Sequence, residues 1–357
     1  MNQRIERLMA KLPEEVDCAL ITSDINRRYF TGMRSSAGTL LCFREEAYLI
    51  IDFRYIEKAR QTVQSCTVLQ QENIYVQIKE LLHKHGAKRM AVEAMELTLS
   101  RFAQLREKLG DAVGLDDSNA LSKAVYACRM VKEPEELEKI RCAQQLAEAA
   151  FEHILTFIRP GVTERAIQME LDFTMIRLGA EDLSFPTIAL TGASTSMPHG
   201  VPSEKVVQKG DFVLMDYGAV VDGYHSDMTR TVAVGQPSEE MAHVYHVVLE
   251  AQNRSLQAVQ AGITGQQLDA AARTYITQAG YGEFFGHALG HGVGMEIHEY
   301  PNASPAGNTV LHTGHVVTVE PGIYLSGRFG VRIEDFVAVT ENGCENLTHA
   351  PKNLMIL

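Results

Sequence analysis

The chain of 357 residues contains no tryptophan and six cysteines, at 18, 42, 66, 128, 142 and 344, none of them in a Cys-x-x-Cys pair. Scattered cysteines in a chain that opens without a signal segment read as buried thiols in a reducing cytosol. Positive charge is in short supply. Against 45 Asp and Glu there are 33 Lys and Arg, for a net charge of -12, which argues against nucleic acid as a partner. Long apolar runs are missing too. None approaches the ~20 residues needed to cross a membrane. The first residues, Met1-Asn2-Gln3-Arg4-Ile5-Glu6, are polar and amphipathic and lack the apolar core of a signal peptide. A cytoplasmic location with no membrane contact is expected. There is no low-complexity segment and no block of like charge.

What is present indicates a well-buried globular fold. Hydrophobic residues make up 45% and charged residues 22%, and the length suits two domains. Residues 1–124 alternate strand-like with helix-like stretches, an α/β layer arrangement. Short apolar runs occur at 18–22, 47–51, 90–92 and 112–115, and helical spacing at 54–64 and 74–84. The turn-like Asp116-Asp117-Ser118-Asn119 opens a connecting helix. A second domain, 125–357, begins near Pro134, which suits the first turn of a helix over 133–157. A further helix is expected from Thr163 to Gly179.

The second domain carries a near-repeat. One copy starts at Gly210 and the other at Gly314, and in both an acid stands at +6 (Asp216, Glu320) and further glycines at +8 and +13. A pair of helical stretches precedes each copy, over 133–178 and 237–279. Each copy then carries another acid, Asp227 or Glu334, expected on its second strand. Two helix-helix-strand-strand halves related by a pseudo-twofold axis would deliver two carboxylates each to one centre.

Asp216 follows an apolar stretch and so does Glu320. An acid ending such a strand is costly unless it is paired or binds metal. Alone, either acid could cap a turn, and Glu334 beside Arg332 could form a surface ion pair. On a strand, Arg332 and Glu334 would share a face, with Asp335 on the other. The segment 285–299 holds three histidines, His287, His291 and His298. Gly290, Gly292 and Gly294 make it a strand rather than a helix, letting the backbone approach bound metals closely. His291 is the ligand candidate among the three. Four carboxylates and one imidazole suit Mn²⁺, Fe²⁺ or Co²⁺ better than a thiolate-rich zinc site. Without a cation such acids would repel one another. Two divalent ions roughly 3.5–4 Å apart would neutralise them.

These residues carry a resemblance. Met197-Pro198-His199-Gly200, Asp216-Tyr217-Gly218, Ser226-Asp227-Met228-Thr229-Arg230-Thr231, Gly290-His291-Gly292-Val293-Gly294, Val319-Glu320-Pro321-Gly322-Ile323-Tyr324 and Arg332-Ile333-Glu334-Asp335 resemble the pita-bread metallopeptidases: aminopeptidase P, prolidase and methionine aminopeptidase. Asn26 to Gly32 and Asp52-Phe53-Arg54-Tyr55 resemble the creatinase-type N-terminal domain, which methionine aminopeptidases lack. The resemblance therefore implies an α/β (α+β) chain, a creatinase-like α/β domain followed by a pseudo-twofold pita-bread catalytic domain. It implies an Xaa-Pro peptidase with two divalent metals, Mn²⁺ first and Co²⁺, Fe²⁺ or Zn²⁺ as alternatives. Asp216, Asp227, His291, Glu320 and Glu334 would be the ligands, with Asp227 and Glu334 bridging and a bridging hydroxide as nucleophile. Glu320 would also shuttle a proton and His298 would steady the oxyanion. His199 and His287 would line the proline side, and Tyr324 and Arg332 would support the acids. Proline-containing peptides are the expected partners, and a homodimer the expected assembly.

In prolidases an Arg often follows the positions matching His298-Glu299, where it binds a dipeptide's carboxylate. No Arg occurs from 299 to 319. The expectation is thus an aminopeptidase P-like enzyme, with Xaa-Pro dipeptidase as the alternative. A non-catalytic protein-binding module is a remote third reading.

Overall fold

A computed structural model describes residues 3–357. The chain divides into two compact units, Met1–Arg129 and Met130–Leu357. In the first unit six strands form one mixed sheet, in the order Thr67–Gln70, Ala47–Ile51, Thr39–Phe43, Cys18–Ile21, Arg89–Val92, Gly114–Asp116. The helices Ile74–His85 and Leu99–Leu109 bury Ile78, Leu81, Leu82, Leu105 and Leu109 in a core with Leu20, Leu41, Ile50 and Met90. Asn73 and Thr98 cap these helices by accepting from Val76 and Arg101 amides.

The strands Thr39–Phe43 and Thr67–Gln70 are additions to the sequence reading. The first follows the turn-like Ser35-Ser36-Ala37-Gly38, a signal the sequence reading passed over, and the second is only half-buried, so its alternation is weak. The run expected over 112–115 is also displaced. A 3-10 turn occupies Gly110–Ala112 and the strand is Gly114–Asp116. Of the six free cysteines, Cys18, Cys42 and Cys128 are buried. Cys66, Cys142 and Cys344 are only partly so, against the uniform burial expected. Among the described residues no helix is long and apolar enough to cross a membrane.

The second unit contains two similar halves. In the first, the helices Pro134–Phe157 and Glu164–Leu178 pack on the antiparallel strands Ile188–Thr191, Phe212–Tyr217 and Met228–Ala233. In the second, Glu239–Ala258 and Gly265–Gln278 pack on a five-stranded sheet containing Gly290–Gly292, Val316–Val319 and Asp335–Thr340. The repeat glycines explain the shared turn geometry. Gly210 and Gly314 have φ of 96° and 88°, and Gly223 and Gly327 have 83° and 70°, values that L side chains rarely adopt.

Strand alternation then aims the acids. Val213, Met215 and Tyr217 are buried with the first helix pair, so Asp216 faces the opposite side. Val317 and Val319 are buried with the second pair, so Thr318 and Glu320 face away from it. Val337 and Val339 put Asp335 on the helix side, where it accepts from Gln252. Glu334 is thereby turned inward.

Candidate metal centre

Asp227 and Glu334 stand not on strands, as expected, but in the breaks just before Met228–Ala233 and Asp335–Thr340. For Glu334 the break has a physical cause. Gly322 pairs with Arg332 and Val319 with Asp335, so Glu320-Pro321 opposes Ile333-Glu334. Pro321 has no amide hydrogen to continue the ladder. The freed Glu334 amide donates to Thr229 O of the first half at 3.1 Å. Thr229 Oγ1 donates to Glu334 Oε2 at 2.7 Å. The two halves are thus joined at the centre.

A cavity of about 600 Å³ collects nine of the ten candidate residues: His199, Asp216, Asp227, His287, His291, His298, Glu320, Arg332 and Glu334. Tyr324 lies behind them. Single ligand atoms of Asp227, His291 and Glu334 fall within 4.8 Å of one another. His291 Nε2 lies 3.4 Å from Glu320 Oε1 and 3.6 Å from Asp227 Oδ2. Its Nδ1 sits 3.0 Å from Gly292 O. Placing the proton on Nδ1, as a donor to that carbonyl, leaves the Nε2 lone pair facing the acids.

The electrostatics match a cation site. Burial, then the charges of Glu334, Asp216 and Glu320, hold Asp227 well above the ordinary carboxylate range. Burial, then Glu320 and Asp216, does the same to Glu334. Burial pushes Glu320 up to about 8, with Arg332 opposing and Asp216 adding. Burial and neighbouring His298 push His291 down to about 4, so its imidazole is neutral. Asp216 Oδ1 and Glu334 Oε1 are buried and have no hydrogen-bond partner. Leaving such atoms unsatisfied costs about 1–3 kcal/mol each. Two orphaned oxygens beside a neutral imidazole and two further acids fit divalent cations.

Arg332 departs from expectation. Its guanidinium reaches not Glu334 but Asp216 of the other half, NH2 to Oδ2 at 2.5 Å. It also donates to Thr229 Oγ1 at 3.0 Å and Tyr324 Oη at 2.7 Å. The strand break removes the shared face on which the Glu334 pairing relied. Tyr324 Oη lies 2.9 Å from His287 Nε2, and His287 Nδ1 lies 2.7 Å from Ala288 O. His287 is therefore held by protein groups although it lines the cavity. The side chains of His199 and His298 make no hydrogen bond to another described residue.

Gly290 and Gly292 allow close strand packing. A Cβ on Gly290 would run into Thr318 O, and one on Gly292 into Tyr300 O. They let neighbouring strands close together.

Sequence reasoning missed Thr229 and Thr318, whose hydroxyls hold Glu334 and Glu320. Their one signal is a polar residue alternating into the inward face of an apolar strand. It also missed the apolar wall of Phe185, Pro186, Ile188, Val201 and Pro202, which only long-range packing assembles.

Comparisons with known proteins agree with this geometry. The model of metallopeptidase family M24 matches residues 138–341, and that of the creatinase/prolidase N-terminal domain matches residues 3–131. The chain is 36% identical over 357 residues to a Pyrococcus furiosus protein named Xaa-Pro dipeptidase, covering 99% of this chain and 100% of that one. It is 42% identical to the solved Xaa-Pro dipeptidase from Bacillus anthracis, at a TM-score of 0.96 with 99% of both chains covered. It is 38% identical to the solved X-Pro aminopeptidase from Thermotoga maritima, at a TM-score of 0.92 with 99% of this chain and 100% of that one covered. Because the M24 model spans both repeats and these likenesses run the length of the chain, the protein belongs to metallopeptidase family M24.

Proposed function

We propose that the chain hydrolyses the bond between an N-terminal residue and a following proline, with X-Pro dipeptides among its substrates. The observation that carries the reading is the meeting of four carboxylates and a neutral imidazole in one cavity, two of their buried oxygens lacking partners. A metallopeptidase of this family uses divalent metal ions. Asp216, Asp227, His291, Glu320 and Glu334 would hold two, and the oxygen-rich set favours Mn²⁺. When bound, the ions would neutralise the acids, polarise the peptide carbonyl and activate water.

The chain's own groups would do the rest. Glu320, beside His291 in the cavity, would take a proton from the attacking water and pass it to the departing proline nitrogen. His298, uncommitted and facing the cavity, donates to the developing oxyanion. His199 lines the cavity and would stand on the proline side, and the apolar wall suits the proline ring. Arg332 and Tyr324 keep Asp216 and His287 in place.

Two features bear on substrate length. The lack of Arg from 299 to 319, with Asn302 at the cavity edge, weighs toward longer peptides. The names of the Pyrococcus furiosus and Bacillus anthracis relatives weigh toward dipeptides, and we give them the greater weight. A non-catalytic role has no support, since all five ligand positions hold ligand-type side chains.

The test is hydrolysis of X-Pro and X-Pro-Y side by side with added Mn²⁺. Cleavage of X-Pro is the expected result. Cleavage of X-Pro-Y alone would move the assignment to aminopeptidase, and inertness of Mn²⁺-loaded protein toward both would overturn it.

A further inference from the structure

The segment that carries His287 and His291 has little structure of its own. Residues 285–289 are irregular, and only Gly290–Gly292 forms a strand. An ion pair outside the cavity holds it. Asp269 and Arg273 lie one turn apart on the helix Gly265–Gln278. Arg273 forks onto Asp269, Nε to Oδ2 at 2.6 Å and NH2 to Oδ1 at 2.8 Å. The same guanidinium donates to Phe285 O at 2.9 Å and to His287 O at 2.7 Å. Asp269 Oδ1 accepts from Leu289 N at 3.0 Å. Leu289 O in turn accepts from Glu320 N at 2.9 Å.

Two side chains that do not line the cavity thus pin three backbone positions around His287, and through Leu289 the backbone of Glu320. Asp269 is 1% exposed, so the pair carries a desolvation cost. The pair spends its buried polar atoms on backbone groups of the 285–289 segment.

We infer that Asp269 and Arg273 are positioning residues for the metal centre, setting where His291 and Glu320 present their ligand atoms. The inference rests on the metal-binding reading of those two residues. Its test is Mn²⁺ titration of chelator-treated protein by calorimetry, with thermal melting and kinetics in parallel, on wild type, Arg273→Met and Arg273→Lys. Lys keeps the charge and can still pair with Asp269, but a single ammonium does not reproduce the planar fork. Loss of an outer hydrogen-bond partner typically costs about 10–100-fold in metal affinity or activity. Both variants should therefore weaken Mn²⁺ binding by that order and lower kcat, with KM changed less than about threefold. Should Arg273→Met fail to fold, Arg273→Lys decides. A lysine variant with wild-type Mn²⁺ affinity and kcat, whatever its melting temperature, overturns the inference. Wild-type protein that takes up no Mn²⁺ overturns the underlying metal reading instead.

Discussion

Beyond burial, the charges of Glu334, Asp216 and Glu320 raise the proton affinity of Asp227, and those of Glu320 and Asp216 raise that of Glu334. Metal uptake must therefore expel protons. With Glu320 at about 8, Mn²⁺ binding to chelator-treated protein at pH 7 should release protons, and affinity should climb as pH rises toward 8. His291, already neutral above about 4, should release none. Calorimetry in two buffers of different ionisation heat measures this, and equal heats in both would count against it. Asp227→Asn should weaken binding at both metal sites. His298→Ala should instead lower kcat while leaving metal content intact, and loss of metal in that variant would make His298 a ligand. Asp216 and Glu320 were legible in the sequence because acids at the end of apolar strands are costly to leave unused. The partner of Arg332 was not legible. Shared-face reasoning pointed to Glu334, whereas the ladder breaks opposite Pro321 and the guanidinium crosses to Asp216.

At the scale of elements, the strand Glu299–Ala303 follows His298 directly and is anchored by a nearly buried ion pair. Lys132 Nζ lies 2.5 Å from Glu299 Oε1, with 1% and 5% of the side chains exposed. Such a pair is weak evidence of net stability, but breaking it leaves a buried charge, at about 3–5 kcal/mol. Lys132→Met should lower the melting temperature and depress kcat through the displaced His298. An unchanged melting temperature would show that Glu299 finds another partner. The paired helices of the first half were legible from their caps and breakers, since Thr163, Pro134 and Gly179 mark ends that local chemistry dictates, whereas the second pair was read only as a helical stretch over 237–279. Nothing in a single chain of letters marks Lys132 as the partner of Glu299. That contact spans 167 positions, and only the packed fold creates it.

At the scale of the whole molecule, the near-repeat was the most informative feature, because matched glycines and acids imply matched turns and strands without any knowledge of packing. The fold built on it concentrates buried acids, and Asp227, Glu320 and Glu334 have raised proton affinities there, which has a consequence for stability. Glu320 keeps its proton up to about 8 in the folded protein, against an ordinary value of 4.5. Between those values the folded state binds more protons than the unfolded state, so stability falls as pH rises. The buried histidines act the other way, with His85 and His298 also lowered by burial. Burial lowers His287, His291 and His315 to about 4, so each favours folding as pH rises toward its ordinary 6.5. The opposing effects overlap below 6.5, and above it the histidine contribution is saturated. From pH 6.5 to 8 the acids act alone, at about 1.4 kcal/mol per pH unit for each proton, or roughly 2 kcal/mol from Glu320 across that window, with Asp227 and Glu334 adding in the same direction. Chelator-treated protein should therefore lose stability between pH 6.5 and 8 in urea denaturation. Saturating Mn²⁺, which requires the carboxylates deprotonated in the folded state, should abolish the decline. A metal-free protein whose stability is flat or rises across that interval would show that the buried acids are already ionised, and the electrostatic case for the metal centre would fail with it.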